Sequence, residues 1–535
     1  MSGLSRTILI GLDGATFTVL DPLMREGVMP RLAAFTAAGA RAELLSTPNP
    51  LTPPAWTSLV TGRTPGHHGI FDFVRASETG GGLYFTLNAS YDVRCETIWS
   101  VVSRAGGRVA ALNFPVSAPP AEVNGVIVPG FVPWRHLRRS VHPPSFYDEM
   151  KSLPGFEARE LAMDMVEELK SIQWIPDEEY EGWIKQHTRR EGQWARLALH
   201  LLARGDVDLM AVLFDGADKL QHLCWRWVDP GLRGGGEARD AAIEGWCLDY
   251  FRALDRHIGD IIDAAGPEAR IYFASDHGFG PSSEIFYANV WLEREGYLRW
   301  SPEAPIDDGT RVARDRIKSH VEGIDWTATT AFALTPSSNG IFIRRAPEPG
   351  APGVPAGDYE SFRAGLTARL LGVRHPRTGR PLIRKVMTRE EAFPGEASGR
   401  APDLTLVLHD HGFISVLRAD ALVRERPEPA GTHCPEGIFL AGGPGIAPGR
   451  RLDPLSIVDV APALAHSLGL PVPRDWEGRV PIESCEPAWA GRHPVRTGEA
   501  TLPPGRPGAG GNAGDMNEED EAAVMARLQA LGYLE

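Results

Sequence analysis

No stretch of this chain is apolar for long enough to cross a bilayer, and the N-terminal MSGLSRTILIGLDG lacks the apolar run of a signal peptide. Cysteine is scarce. Cys95, Cys224, Cys247, Cys434 and Cys485 fall without any C-x-x-C spacing, which suggests neither a disulfide framework nor a thiolate zinc site. Reduced thiols and a cytoplasmic location are the expectation. Positive charge is also short: 55 Lys and Arg against 69 Asp and Glu leave a formal charge of -14. Nucleic acid and anionic membranes need counterion-releasing basic patches, so neither is an expected partner. An anionic substrate would need local positive charge, and bound metal is the simplest source.

What the chain does contain is a repeated unit. Three short apolar, β-rich runs end in aspartate and a glycine-containing loop: TILIGLDG (residues 7–14), LMAVLFDGAD (209–218) and RIYFASDHG (270–278). They read as buried parallel strands. A fourth run, GIFLAGGPG (437–445), has the same strand-then-turn character without the acid. Helical patterns lie between them, as at residues 191–202 and 245–264, and the alternation predicts an α/β layered domain with a mostly parallel sheet. Ligands bind such sheets outside the carboxyl ends of the strands, so the three acids should converge.

A length of 535 residues exceeds what one core usually fills, which points to a catalytic domain over 1–485 carrying insertions. Residues 118–190 and 300–427 break the strand–helix alternation, the second through the Pro/Gly-rich stretch 345–358, and both read as cap-like, substrate-facing insertions. Residues 486–515, dominated by Pro, Gly and Ala, read as a flexible linker, and residues 516–535 as a short C-terminal docking helix.

Asp13 follows a strand directly, although a lone aspartate there is ordinarily a turn or cap residue. A haloacid-dehalogenase site would want a second aspartate two residues on, where Ala15 stands. Asp218 and His222, at i and i+4, share one helix face and can share an ion. Asp215 competes for that role but sits earlier in the turn and reads as ordering the loop. Asp276 and His277 put a carboxylate and an imidazole at one strand end, a pair that suits zinc or manganese. His433 precedes the fourth strand and by itself says little. Thr52 is followed by two prolines, with a helix expected to begin near Pro54; a hydroxyl there has a favourable field for an alkoxide or a bound anion. The ordinary alternative for Thr52 is an N-cap. Thr57 is the rival nucleophile, but inside a helix its hydroxyl bonds back to its own backbone. His67 and His68 read as loop-ordering.

With these residues in view, the chain resembles the alkaline phosphatase superfamily, and within it the type I phosphodiesterase/nucleotide pyrophosphatase branch, including its bacterial and archaeal phosphohydrolase/phosphomutase-like members. The resemblance rests on residues 9–70, 215–280 and 431–478. It implies that Thr52, standing one short helix before Thr61-Gly62, is the nucleophile. It further implies one divalent ion held by Asp218, His222 and His433, and a second held by Asp13, Asp276, His277 and the Thr52 oxygen, with zinc or manganese as the metal. In one departure, Phe73 in HGIFDF stands where nucleotide pyrophosphatases carry a phosphoryl-contacting Asn, which puts nucleotide diester specificity in doubt.

The implied activity is hydrolysis of a small anionic phosphate ester, mono- or diester, through a covalent phosphothreonine that water then cleaves. A phosphomutase would return the phosphoryl group to another substrate hydroxyl. A sulfatase would want a Cys or Ser in a C/S-x-P-S-R setting, which Thr52-Pro53-Pro54-Ala55 lacks. A metal-bound binding protein without turnover is the alternative from outside the enzymes.

Overall fold

The computed structural model describes residues 3–79, 82–161, 175–307 and 320–504. The three strand–acid runs form adjacent parallel strands, Thr7–Leu12 lying between Leu209–Phe214 and Arg270–Ala274. Every residue in them is buried. Their alternation divides side chains between two cores: Ile8, Ile10 and Leu12 join Met210, Val212 and Phe214 on one face. Leu9 joins Leu209, Ala211 and Leu213 on the other. Each fully buried Leu, Ile or Val stabilises by about 1.5–3 kcal/mol, and covering both faces is why these strands carry no polar alternation.

From one edge to the other the main sheet runs Arg450–Arg451, Ala40–Leu45, Glu436–Gly442, Arg270–Ala274, Thr7–Leu12, Leu209–Phe214, Val109–Leu112 and Gly125–Val128, with the short strand Leu455–Ser456 also on Ala40–Leu45. Only Glu436–Gly442 pairs antiparallel with its neighbours. The fold is therefore an α/β layered one with a mostly parallel sheet. The GIFLAGGPG run is a strand that enters the sheet reversed.

Helix Tyr180–Ala203 begins well before the expected residue 191, because Trp183, His187, Arg190 and Trp194 recur at helical spacing and are all buried. The insertion expected to end at residue 190 thus runs into a helix that packs on helix Ala238–Ala265. Within residues 300–427 a separate antiparallel sheet forms, in the order Ala331–Phe332, Gly340–Ile343, Leu404–Leu408 and Ile383–Thr388. With helix Tyr359–Leu371 it encloses its own core around Ile341, Leu366, Leu370 and Leu404.

The expectation of a flexible linker over 486–515 fails for its first part. Residues 486–504 pack on the sheet domain: the Arg270 guanidinium lies 4.5 Å from the centre of the Trp489 ring, and Leu502 N–H donates to Glu96. A Pro/Gly-rich composition says nothing of a single aromatic anchor, and Trp489 supplies one. The rest of that linker and the expected helix over 516–535 lie outside the described residues. No helix among the described residues is long and apolar enough to cross a membrane.

Candidate active site

The parallel register sets the site. Leu12 pairs with Phe214 and Gly11 with Ala274, so Asp13 and Asp276 leave neighbouring strands at the same sheet edge. Asp218 stands in the first turn of helix Gly216–Val228, with His222 one turn on. His433 lies on strand Val423–Cys434, whose antiparallel pairing with Gly278–Phe286 places it opposite Phe279. All seven residues singled out in the sequence meet here.

Asp218 Oδ1, His222 Nε2 and His433 Nε2 are mutually 3.5, 3.0 and 3.2 Å apart. Around His277 Nε2 lie Asp276 Oδ2 at 3.2 Å, Thr52 Oγ1 at 3.4 Å and Asp13 Oδ1 at 3.7 Å. Asp218 Oδ1 is 4.0 Å from that same nitrogen, so the two groups adjoin and His277 sits nearer the second. Donors around one tetrahedral ion, bound at about 2.0–2.2 Å, stand about 3.3–3.6 Å apart, and the distances here, from 3.0 to 3.7 Å, straddle that range.

Tautomers sharpen the point. His277 Nδ1 is 3.1 Å from Gly278 O and His433 Nδ1 is 2.9 Å from Pro50 O. A carbonyl only accepts, so each Nδ1 donates and each neutral ring presents an Nε2 lone pair to the carboxylates. Burial, then repulsion from His433, holds His277 well below the usual imidazole range, and burial likewise lowers His433, which keeps both rings neutral. Acceptors then face acceptors at 3.2 Å, an arrangement that calls for a cation between them. Asp13 Oδ1 and Asp276 Oδ2 are buried and accept no hydrogen bond. Burial, then Asp276, Asp218 and Asp215, pushes the Asp13 carboxyl well above the ordinary carboxylate range, and burial does the same to Asp276. The residues present fit divalent cations.

Thr52 differs from expectation in its place on the helix. Helix Thr52–Thr61 starts at Thr52 itself, with Leu51 as the extended N-cap, because Pro53 and Pro54 have the fixed φ of a first turn. Its hydroxyl therefore does no capping and points to His277. Thr57 Oγ1 donates to Pro53 O at 2.7 Å, its expected backbone bond.

Asp215 is held by Lys219 at 2.9 Å and Arg190 at 3.4 Å, in a buried ion cluster behind the site. His68 bonds Ser58 Oγ at 2.9 Å and accepts from Ile70 N–H; His67 stands 3.6 Å from Glu477. Phe73 is buried in an apolar cluster with Leu51 and Val74, against which Phe413 packs. The Phe413 ring in turn meets His433 at 5.2 Å.

Two supports were not read from the sequence. Trp56 Nε1 donates to Asp13 Oδ2 at 3.2 Å, and its ring rests on Gly11, where an added Cβ would lie 2.8 Å from it. The i, i+4 spacing of Thr52 and Trp56 was the available signal. Gly14 N–H donates to Asp276 Oδ1 at 3.1 Å from a left-handed φ of 64°. An added Cβ there would lie 2.9 Å from the Phe279 ring. Gly14→Ala is expected to destabilise the fold by about 1–3 kcal/mol, combining backbone strain with that clash. A urea denaturation midpoint equal to the parent's would show that the loop accommodates the methyl.

The second lobe is pinned beside Thr52. Asn49 Nδ2 donates to Ser337 O at 2.7 Å, while Thr335 and Ser337 hydroxyls donate to the buried Asp72 carboxylate at 2.6 and 2.7 Å. Burial pushes Asp72 up to about 6 from an ordinary 3.8, against those hydrogen bonds. A carboxyl raised in the folded state contributes stability that is complete below its unfolded pKa and lost as pH climbs through its folded one. Between pH 4 and 7 the parent should therefore lose up to about 3 kcal/mol that Asp72→Asn does not lose. Urea unfolding of both proteins at several pH values checks this, and parallel profiles would refute it.

Two groups of buried carboxylates and imidazoles, Asp218, His277 and His433, and Asp13, Asp276 and His277, gathered at the carboxyl edge of a mostly parallel sheet, could each hold a metal ion. The chain belongs to the type I phosphodiesterase/nucleotide pyrophosphatase family, whose model matches residues 7–435, and with it to the alkaline phosphatase superfamily. It is thus a phosphoester hydrolase by family. Among solved structures it is similar to phosphonoacetate hydrolase from Sinorhizobium meliloti 1021 in complex with phosphonoformate, at 18% identity over 85% of this chain and 94% of that one, TM-score 0.49. It is also similar to murine ectonucleotide pyrophosphatase/phosphodiesterase 5, at 14% identity over 87% and 95%, TM-score 0.48. No curated protein sequence matches the chain.

Proposed function

We propose that the chain hydrolyses small phosphate esters by attack of Thr52 Oγ1 on phosphorus, which breaks the bond from phosphorus to the ester oxygen, releases the alcohol with the proton lost by Thr52, and forms a phosphothreonine that water then cleaves. The observation that carries this reading is Thr52, a residue 2% exposed at a helix N-terminus, whose hydroxyl lies 3.4 Å from His277 Nε2 amid the acids. Asp218, His222 and His433 would hold one divalent ion; Asp13, Asp276, His277 and Thr52 would hold the other. Such a pair would offset phosphoryl charge and support the attacking and leaving oxygens.

The chain's own contribution is placement. Gly278 O and Pro50 O orient the two imidazoles, Trp56 and Gly14 fix the two strand-end carboxylates, and the helix field favours negative charge at Thr52. Burial of Thr52 keeps bulk water from competing for its oxygen. The lobe within residues 300–427, tied to Asn49 and Asp72, would form one wall of the substrate entrance. Assays of nitrophenyl phosphate mono- and diesters with zinc or manganese test the reading. Hydrolysis that needs added metal is expected, and full turnover after exhaustive demetallation would overturn it.

A further inference from the structure

A cavity of about 370 Å³ opens beside the Asp72 segment, between the strand pair Val74–Thr79 and Gly82–Leu87 and the second lobe. None of the seven site residues lines it. Phe71, Asp72, Val74, Arg75 and Ala76 line it along one edge, while Phe73 does not. Its walls combine the rings of Phe85 and Phe342 with Asn88, Ser338, Arg75 and Arg400.

The cations are unequal. Arg75 is ion-paired with Asp92 and donates to Thr86 Oγ1 at 3.1 Å. Arg400 has one hydrogen bond, to Gly69 O at 3.2 Å, and among the described residues no carboxylate lies within ion-pair distance of it. Burial, followed by repulsion from Arg94 and Arg75, lowers its pKa. Arg400 is solvent-exposed at the cavity's rim, and a guanidinium carries five N–H donors in a planar fork suited to carboxylate and phosphate oxygens, so most of its donors can exchange water for an anion's oxygens. The hydroxyls nearby are already committed: Thr335 donates to Asp72 and Ser338 to Thr335 O. An uncompensated cation with aromatic walls is complementary to an anionic head on an apolar body.

We propose that this cavity binds a small organic anion, its carboxylate or phosphoryl head held by Arg400 and its aromatic or aliphatic body lying between Phe85 and Phe342. The site is separate from the one that contains Thr52.

Calorimetric titration of the full chain with phenylacetate, benzenephosphonate and neutral 2-phenylethanol tests this. Both anions should bind and the alcohol should not, and the tighter of the two anions identifies the head group. Arg400→Gln should weaken anion binding by about tenfold or more, the loss expected when a charge-assisted hydrogen bond goes. Arg400→Met, which keeps an apolar side chain of similar length, should do the same, and Arg400→Lys should lose less. Affinity should be unchanged by chelation, and nitrophenyl ester turnover without probe should be unchanged in Arg400→Gln. Equal binding of the alcohol, undiminished binding by both neutral variants, no binding of either anion, or binding lost on chelation would each overturn the proposal. The last result would move the anion to the Thr52 site, leaving the hydrolase reading intact.

Discussion

Thr52→Ala is expected to lower ester turnover by roughly a thousandfold or more while the protein keeps its metal and its fold, since a group that forms the covalent bond has no substitute nearby. Thr57, the other hydroxyl of that helix, is bonded to Pro53 O and faces away from the task. Thr52→Ser should retain part of the activity. The stability readout separates chemistry from structure: an N-cap threonine would cost about 0.5–2 kcal/mol on truncation, but Thr52 lies inside the helix with Leu51 as cap, so the melting temperature should hardly move. A Thr52→Ala protein that hydrolyses at close to the parent rate would place the nucleophile elsewhere.

His433→Ala should reduce metal content from two ions per chain toward one, with affinity at the emptied position falling by more than about 100-fold, because loss of a ligand exceeds the 10–100-fold typical of outer-shell changes. The geometry makes this selective. His433 Nε2 lies 3.0 Å from His222 Nε2 and 3.2 Å from Asp218 Oδ1, so its removal takes one donor from that group and leaves Asp218 and His222, with His277 4.0 Å from Asp218. The group around His277 keeps its four contributors. Elemental analysis of the variant beside the parent decides the matter, and two ions retained at full affinity would show that His433 is no ligand. Turnover should fall with the metal.

The centre of the main sheet was legible in the sequence because burial on both faces demands continuous apolar runs, and three of the four runs ended in an aspartate that could be counted, whereas its outer strands, such as Ala40–Leu45 and Gly125–Val128, gave no such signal. Boundaries were less legible. The start of helix Tyr180–Ala203 and the packing of residues 486–504 depend on Trp183, Trp194 and Trp489 finding partners far along the chain, and composition does not register partners. The helix at Thr52 began two residues earlier than expected, which changes what its hydroxyl does.

For the site, the sequence by itself determined the kinds of ligand and their local spacing. Asp218 and His222 share a helix face because a helix turns every 3.6 residues, and Asp276 and His277 are covalent neighbours. Tertiary structure alone decided that His433, separated from His222 by 211 positions, meets it at 3.0 Å, because that contact is made through strand pairing with Gly278–Phe286. It alone brought Thr335 and Ser337 to Asp72 and set Arg400 beside Gly69 O, because long-range contacts between two separately cored lobes carry no periodic signal along the chain.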